Sequence, residues 1–564
     1  DVTWSKIDIP HDWIIYDTSF FHEECEGWYR KRFFVNLSDK LKGEGNFTMR
    51  YLIRFEGVYM DSTIFINGNN VGEWKYGYSS FEFDITDALA DGENEIIVRA
   101  VIQIPNSRWY SGGGIYRNVW FMSVPKLHFA SDGVYIWTEN KDEIWSVHVS
   151  CEIVDACLQK DLEQKDPHTV RYTIMDMNGA VVTSVEGKSV KQELTVATPM
   201  LWNIKEPNLY VLKAELLWND IMIDEKLNKF GFRTIRFDAD DGFYLNEHHL
   251  KIHGVCQHHD LGALGAAVNR TALRRQLTLL KEMGVNAIRT AHNMCSVELL
   301  ELADEMGFLI NSESFDMWEK PKNTYDYARF FNEWVERDLA SWIRRDRNHP
   351  CIIMWCIGNE IYDTHAGERG HELTQFLMDM VYKHDPNHNA TVTIASNYMP
   401  WENTQKCADI VKLVGYNYSE RHYEQHHEQH KDWMIYGSET ASIVQSRGIY
   451  HFPLNAEILS DDDEQCSSLG NSITSWGARS IERCIVDDRD SKYIAGMFIW
   501  SGFDYIGEPT PYHTKNCYFG QLDTAGFKKD SFYIYQAEWT NYHTAPMVHI
   551  FPYWDFNEGQ LIDV

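Results

Sequence analysis

The chain has 564 residues and a mass of 66.0 kDa, more than one hydrophobic core usually serves, so three or four domains are expected. Its formal net charge of −31 disfavours phosphate backbones and anionic lipid surfaces, so we expect no nucleic acid and no membrane partner. Eleven cysteines without regular spacing resemble reduced thiols, and no signal peptide or long apolar run is visible. A cytoplasmic location is therefore expected, although the ends of the chain are also consistent with a fragment.

Two β-rich modules are predicted in the first part of the chain. Residues 1–124 contain alternating runs such as FTMRYLIRFEGV and STIFINGNNVG, broken by turn signals such as Asn67-Gly68, which predict an antiparallel β-sandwich. Residues 125–236 contain a second set of short strands, and their size suits an immunoglobulin-like β-sandwich.

The rhythm changes after Gly242 to apolar strands separated by polar helices. Eight strand candidates between residues 237 and 543 predict a (β/α)₈ TIM barrel. Helices are expected over 271–283, 297–306 and 325–346. After His543 the run MVHIFPYW predicts the start of a further β domain over 544–564.

Two glutamates end predicted barrel strands and are the candidate catalytic residues. Glu360 closes IIMWCIGNE and Glu439 closes WMIYGSE, so both would lie at the catalytic rim of the barrel. Such a pair cleaves glycosidic bonds, one carboxyl group acting as general acid/base and the other as nucleophile. We assign the acid/base role to Glu360, because an apolar wall favours a protonated carboxyl group, and the nucleophile role to Glu439. The alternative is that Asn359-Glu360 only caps the next helix.

Other polar and aromatic side chains follow the same strand ends and are predicted to bind substrate. Asn359 would hold a sugar hydroxyl, and imidazoles, amides and carboxylates make the directional hydrogen bonds that distinguish hydroxyl epimers. A tryptophan can stack on a sugar face, and a tyrosine can hydrogen-bond the nucleophile, although both are often ordinary packing residues. The candidates are Asn359, His258, Asp260, His292, Tyr418 and Trp500.

Arg108 lies in an unusual loop, PNSRWYSGGGIYRNVW, which we expect to reach from the first sandwich to the barrel. There Arg108 would hydrogen-bond the substrate or pair with an acidic residue of the barrel. The three consecutive glycines of this loop lack the spacing of a phosphate-binding loop.

Metal binding is the rival interpretation of the histidines. No HExxH or paired-cysteine pattern accompanies His258, His259 and His292, so no metal and no cofactor are predicted. A second cluster, His422, His426, His427 and His430, has helical spacing that could bind a metal, but a solvated helix face is favoured.

Seven motifs, taken together and in order, resemble glycoside hydrolase family 2, and within it the β-galactosidases. They are IPHDW, FEGVYMDSTIFINGNNVG, RWYSGGGIYRNVW, GVCQHHD, IRTAHN, WCIGNE and YGSE, and the resemblance covers the chain from Ile9 to about His543. The resemblance implies a sugar-binding jelly roll, an immunoglobulin-like sandwich and a catalytic barrel that acts with retention of configuration. It also implies that Glu360 is the acid/base, Glu439 the nucleophile and Asn359 the 2-hydroxyl ligand, with His258, His292 and Trp500 as sugar contacts.

Two departures from the family affect the expected metal and substrate. Where the family galactosidases carry a magnesium-binding Glu and His, this chain reads SESFDMWEK, and a Glu and a His cannot both be placed there as ligands. Where the family glucuronidases carry an Asn-x-Lys that binds the substrate carboxylate, this chain reads LDTAGFKKD, without the Asn. The pair Lys528 and Lys529 nevertheless keeps a uronic acid substrate open.

Three hypotheses follow from these observations. The leading one is an exo-acting retaining β-galactosidase with a β-galactoside or galactosyl oligosaccharide as substrate. The second is a β-glucuronidase or β-galacturonidase, and the third is a catalytically silent carbohydrate-binding protein. The sequence leaves the oligomeric state open, although members of the resembled family commonly assemble.

Overall fold

A computed structural model describes residues 3–17, 19, 21, 23–37, 49–141, 143–155, 168–463, 465–476, 480–553 and 557–559. The described residues form two β-sandwiches followed by a closed parallel barrel, as predicted. Ten cysteines lie in this part of the chain, and all of them are free thiols. Within the same part, no helix combines the length and the apolar character needed to cross a bilayer.

The first sandwich consists of two antiparallel sheets. Their inward residues, such as Ile64, Ile66 and Phe81, alternate with exposed ones and form a separate apolar core. The first sheet contains, in spatial order, Cys25–Val35, Gly92–Ile102, Ser62–Ile66 and Asn69–Trp74. The second contains Phe81–Asp84, Met49–Phe55 and Val119–Pro125.

The second sandwich packs a three-stranded sheet on a four-stranded sheet around a core that includes Val147, Tyr172 and Leu212. The three-stranded sheet contains Lys191–Ala197, Ile144–Ser150 and Tyr135–Lys141. The four-stranded sheet contains Val181–Gly187, His168–Asp176, Tyr210–Trp218 and Ile221–Phe230. Short strands at the domain edges are Leu127–Phe129, Ile153–Asp155, Ile235–Asp238, Gly242–Leu245 and His248–His249.

The eight predicted barrel strands are all present, and the first strand pairs with the eighth to close the barrel. They are, in order, Ile252–Gln257, Ala287–Thr290, Leu309–Glu313, Ile352–Asn359, Thr391–Ser396, Leu413–Asn417, Met434–Thr440 and Ile494–Ile499. Two small strand pairs accompany them, Ile458–Leu459 with Ser472–Ile473 and Tyr505–Ile506 with Asn516–Cys517. Because all eight strands are parallel, their carboxyl ends surround one opening.

The helices of the barrel begin and end where capping residues place them. Arg270–Met283 follows the cap Asn269 and ends at Gly284, whose φ of 92° suits the left-handed conformation of a helix terminus. The third helix, expected from residue 325, begins at Ala328, because Asp326 accepts the amide of Ala328 and holds the preceding turn. The α-helices are Arg270–Met283, Val297–Met306, Ala328–Asp346, Tyr362–His365, Glu368–His384, Glu402–Val411, Tyr423–Gln429, Ile481–Asp490 and Asp530–Trp539.

The segment after His543 differs from the prediction, since its described residues contain no strand. A strand needs a hydrogen-bonded neighbour, and here the segment packs on the barrel through side chains instead. His549 stacks on Tyr533 with ring centroids 3.9 Å apart and hydrogen-bonds Asp530 at 2.6 Å. The alternation of apolar residues after His543 therefore reflects one face of the segment that packs on a helix.

Candidate active site

The two candidate catalytic glutamates border the same opening of the barrel. Glu360 directly follows the fourth strand, and Glu439 is the penultimate residue of the seventh. Asn417, at the end of the sixth strand, connects them: its Nδ2 donates to Glu360 Oε1 at 3.0 Å, and Asn417 pairs with Glu439 in the strand register. The barrel thus brings together two carboxyl groups that are 79 positions apart in the sequence.

The surroundings of the two carboxyl groups differ, and not as the sequence indicated. Glu439 is the enclosed one, with 4% of its surface exposed, whereas Glu360 is partly exposed. Burial raises the pKa of Glu439 to about 7, Arg289 opposes this increase, and the nearby charge of Glu360 adds to it. Glu360 also has a φ of 46°, a left-handed conformation that is uncommon for a residue with a side chain and is found at functional sites.

Arg289 is the central cation of the site, and the sequence analysis missed it. Its guanidinium is fully buried, donates to Glu439 Oε1 at 2.8 Å and approaches Glu313 Oε2 at 2.6 Å. It also donates to Asn359 Oδ1 at 2.9 Å. A charged residue inside the apolar second strand, AIRT, was the available signal, because such a residue must find charged partners when it is buried.

Asn359 is held by hydrogen bonds from several directions, and Asp316 is one of its partners. The Asn359 amide donates to Asp316 Oδ1 at 2.9 Å, while its carbonyl accepts from Arg289 and from Asn417. Asp316 is 2% exposed and also accepts from Lys322 at 2.7 Å. Asp316 and Lys322 were not predicted, because they lie in a loop whose path the sequence does not show.

Three predicted sugar contacts form an aromatic group beside the glutamates. The ring of His292 stacks on Trp500 with centroids 5.2 Å apart, and its Nδ1 lies 2.7 Å from Glu313 Oε1. His258 packs against Trp500 and Trp109 with centroids 5.3 and 5.2 Å away. Burial lowers the pKa of both histidines well below the usual value, so both rings are neutral near pH 7.

His258 has a further property that points to a ligand. Both of its ring nitrogens are buried, and neither makes a hydrogen bond of good geometry among the described residues, while the backbone of Ala291 lies near the ring. A buried polar atom without a partner costs free energy, so such atoms are usually satisfied by water or by a bound molecule. A ligand hydroxyl can donate to the unprotonated ring nitrogen or accept from the protonated one.

Of the remaining predicted residues, Tyr418 and Arg108 join the site. The backbone N–H of Tyr418 donates to the Glu439 carbonyl at 2.9 Å, and the Tyr418 hydroxyl lowers the pKa of the Glu439 carboxyl group. Arg108 reaches the barrel from the first sandwich, as expected, and pairs with Asp316 at 3.2 Å and Glu508 at 3.3 Å.

Asp260 does not join the other predicted residues through any hydrogen bond in the described part of the chain. Its carboxylate instead accepts the backbone N–H of Gly262 at 3.2 Å, and burial raises its pKa to about 7. It therefore stabilises the loop after the first strand.

The histidine cluster of the predicted polar helix is divided among separate contacts. His426 is buried and hydrogen-bonds the Tyr416 hydroxyl at 2.8 Å. The solvated helix face that the sequence favoured is therefore only partly solvated. His430 stacks on Trp433 with centroids 3.7 Å apart. Within the described ranges, the one grouping with metal-ligand geometry is Asp304, His349 and Cys351. There His349 Nδ1 and the Cys351 amide already satisfy the Asp304 carboxylate.

Family models match the three domains in order along the chain. Residues 8–125 match the sugar binding domain of glycosyl hydrolases family 2, residues 129–233 match glycosyl hydrolases family 2, and residues 238–467 match the TIM barrel domain of that family. The chain belongs to glycosyl hydrolase family 2. It is therefore a glycoside hydrolase, which agrees with a carboxylate pair at the barrel opening.

Individual members of glycosyl hydrolase family 2 show how far the similarity extends. The chain is 38% identical to the β-galactosidase BoGH2A of Bacteroides ovatus, over 100% of this chain and 72% of that protein. It is 26% identical to a β-glucuronidase of Bacteroides fragilis, over 97% of this chain and 80% of that protein. A crystal structure of a β-glycosidase from Bacteroides vulgatus superposes with a TM-score of 0.85 at 30% identity, covering 98% of this chain and 73% of that one. Because the relatives include a β-galactosidase and a β-glucuronidase, the comparisons leave the substrate sugar undecided.

Proposed function

We propose that the protein is an exo-acting β-galactosidase that releases terminal β-D-galactose by double displacement with retention of configuration. The observation that carries the proposal is the placement of Glu360 and Glu439 at one opening, joined through Asn417, with Arg289 bound to Glu439. The similarity to a β-galactosidase over the whole chain supports the choice of sugar.

The surroundings of each carboxyl group suit one role in this reaction. Glu439 would attack the anomeric carbon, because Arg289 and the Tyr418 hydroxyl favour its ionised form. Glu360, which is partly exposed, would protonate the departing oxygen and then deprotonate the water that releases the sugar. Asn359 and the unpartnered His258 ring would bind sugar hydroxyls on either side of the reacting carbon.

Lys528 and Lys529, which the sequence left as possible partners of a uronic acid, have contacts that favour a neutral sugar instead. Lys529 is buried and donates to Asp504 at 2.6 Å and to the carbonyls of Gln445 and Tyr518 at 2.7 and 3.1 Å. These contacts use all three N–H groups of an ammonium. Lys528 pairs with Glu282 at 2.7 Å. A substrate carboxylate would have to displace existing partners of either lysine.

The substrate is tested by comparing 4-nitrophenyl β-galactoside with the β-glucuronide and β-galacturonide. We expect kcat/KM for the galactoside to exceed that for either uronide by roughly 100-fold or more, because Lys528 and Lys529 already have carboxylate partners among the described residues and an unpaired substrate carboxylate is strongly disfavoured. A higher kcat/KM for a uronide would refute the galactosidase assignment and support the second hypothesis. Binding of galactose without turnover of any of the three would support the silent binding protein.

We expect the enzyme to keep its activity after removal of divalent metals. Asp316 is the buried acidic residue beside Asn359, and Lys322 and Arg108 already neutralise it. Dialysis against EDTA should therefore change kcat/KM by less than about twofold. Lys322→Gln should lower it by about tenfold, because Lys322 Nζ donates to the backbone carbonyl of Asn359 at 3.0 Å and this contact is lost. A large loss in EDTA that Mg²⁺ restores would contradict this expectation.

A further inference from the structure

A cavity of about 230 Å³ lies where the second sandwich meets the barrel, and the proposed reaction leaves it without a role. Its walls come from the strand Tyr135–Lys141 and residues 230–235 on the sandwich side, and from residues 347–350 and 387–389 on the barrel side. The two barrel segments directly precede the fourth and fifth barrel strands. The cavity therefore lies at the amino ends of the strands, at the opposite end of the barrel from the glutamates.

The lining of the cavity is basic and polar. It includes three asparagines together with Arg233, Arg347, His349 and His388, and the described residues that line it include no aspartate or glutamate. The chain as a whole has 83 acidic residues and 52 basic ones, so this lining departs strongly from the average composition. A pocket with cations and without acids favours a negatively charged ligand.

The two arginines are held in place by neutral groups. Arg233 donates to the backbone carbonyls of Ile352 and Asn389 at 2.6 and 3.0 Å, and Arg347 donates to that of His384 at 2.7 Å. Neither arginine forms an ion pair with a carboxylate in the described part of the chain. Burial lowers the pKa of Arg233 to about 10 and also lowers that of Arg347, so both guanidiniums remain charged near pH 7.

The carboxylates of this region are occupied by other donors. Asp304 and Asp385 are buried, and Glu152 forms a two-pronged pair with Arg344 at 2.8 Å. The donors to the two buried carboxylates are His349, Tyr135 and Trp355, at 2.6, 2.8 and 3.0 Å. The positive charge of the two guanidiniums in the cavity is therefore left for a ligand.

Arg347 gives a second, independent indication of a ligand. Only 7% of this residue is exposed, and its Nε is a buried donor that has no hydrogen-bond partner among the described residues. Such donors are usually satisfied by water or by a bound molecule. Guanidinium N–H groups match the oxygens of a phosphate in both geometry and charge.

The cavity is formed before any ligand binds, because two asparagines fix its walls to each other. Asn348 Oδ1 accepts the backbone N–H of Ile136 at 2.9 Å, and Asn389 Nδ2 donates to the Ile136 carbonyl at 2.9 Å. A preformed site avoids the cost of ordering its walls on binding. Its volume is below the range of about 300–1,000 Å³ typical of pockets for small organic ligands, which favours a compact ion.

We propose that this cavity binds a phosphate-type dianion, either as the free ion or as the monoester of a small molecule. Two guanidiniums without a carboxylate partner match the charge of about −1.5 to −2 that a phosphate group carries at pH 7. Because the ligand contacts the second sandwich and the barrel together, it stabilises their junction. This inference does not depend on the proposed galactosidase function, since the cavity lies at the other end of the barrel.

The first test is a calorimetric titration of the whole chain with inorganic phosphate at constant ionic strength. We expect saturable binding of one phosphate per chain, and saturating phosphate should raise the midpoint of thermal unfolding by about 2–4 °C. Glycerol 3-phosphate is titrated in parallel: tighter binding than that of inorganic phosphate assigns the site to a monoester, and equal or weaker binding assigns it to the free ion. Absence of saturable binding of both, or an equal rise in chloride of the same ionic strength, would overturn the proposal.

A matched pair of variants tests whether charge controls the binding. Thr138 lines the cavity from the sandwich side, so Thr138→Glu adds a carboxylate there, whereas Thr138→Gln adds a side chain of similar size without charge. We expect Thr138→Glu to weaken phosphate binding by about tenfold or more and Thr138→Gln to change it by less than about threefold. Arg347→Gln should also weaken binding by about tenfold or more, with its folding verified by circular dichroism. Equal weakening by the two Thr138 variants would overturn the assignment of a dianion site.

Discussion

Replacing Glu439 by glycine is expected to lower turnover of 4-nitrophenyl β-galactoside by roughly four to six orders of magnitude, because the reaction loses its nucleophile. Azide should then restore part of the rate by occupying the space of the missing carboxylate. Since azide attacks from the Glu439 side, the product should be α-galactosyl azide, which NMR identifies by its anomeric coupling constant.

The corresponding change at Glu360 should give the opposite anomer. With Glu360→Ala, the nitrophenyl leaving group departs without protonation, so the galactosyl ester on Glu439 still forms. Azide then attacks this ester from the Glu360 side and yields β-galactosyl azide. Glu319→Gln is the control, because Glu319 lies after the third strand but pairs with Arg369 at 2.6 Å. If the two variants give the same anomer, or if neither gives an azide product, the assignment of roles is wrong.

Replacing Arg289 by glutamine is expected to have the second largest effect. Its charge favours the ionised form of Glu439, whose pKa burial raises to about 7. Without Arg289, Glu439 would hold its proton to higher pH, and the nucleophile must be ionised to react. The acidic limb of the kcat/KM profile should therefore move to higher pH, and kcat/KM at pH 7 should fall by roughly 1,000-fold.

Stability should change together with activity in this variant. Removing one partner of a buried ion pair leaves the other charge uncompensated, which typically costs about 3–5 kcal/mol of unfolding free energy. Arg289→Lys is the matched variant, because it keeps the charge but loses the two-sided contact with Glu313 and Glu439. We expect a smaller pH shift for the lysine variant, as measured from pH profiles and urea unfolding. An unchanged acidic limb in both variants would show that Arg289 does not control the protonation of Glu439.

The fold and most of the candidate site could be predicted from the sequence, because both depend on local patterns. Strands with a period of two gave the two sandwiches, and alternating strands and helices gave the barrel. In a parallel barrel the residue that ends a strand lies at the catalytic rim, so Glu360, Glu439, Asn359 and His292 could be placed without coordinates. The prediction of a further β domain after His543 rests on the same kind of pattern, and alternation around His549 also arises when an extended segment packs one face on a helix.

By itself, the sequence determined which residues end the barrel strands. The side-chain pattern of a strand repeats every two residues, so it can be followed along the chain to the position where it stops. Only the tertiary structure decided which side chains meet. Closure of the barrel places Arg289 between Glu313 and Glu439, and docking of the first sandwich brings Arg108 to Asp316. These pairs join residues that are 24, 150 and 208 positions apart, and no local pattern encodes such contacts. The enclosure of Glu439 rather than Glu360 has the same cause, because burial depends on what the rest of the chain packs against each residue.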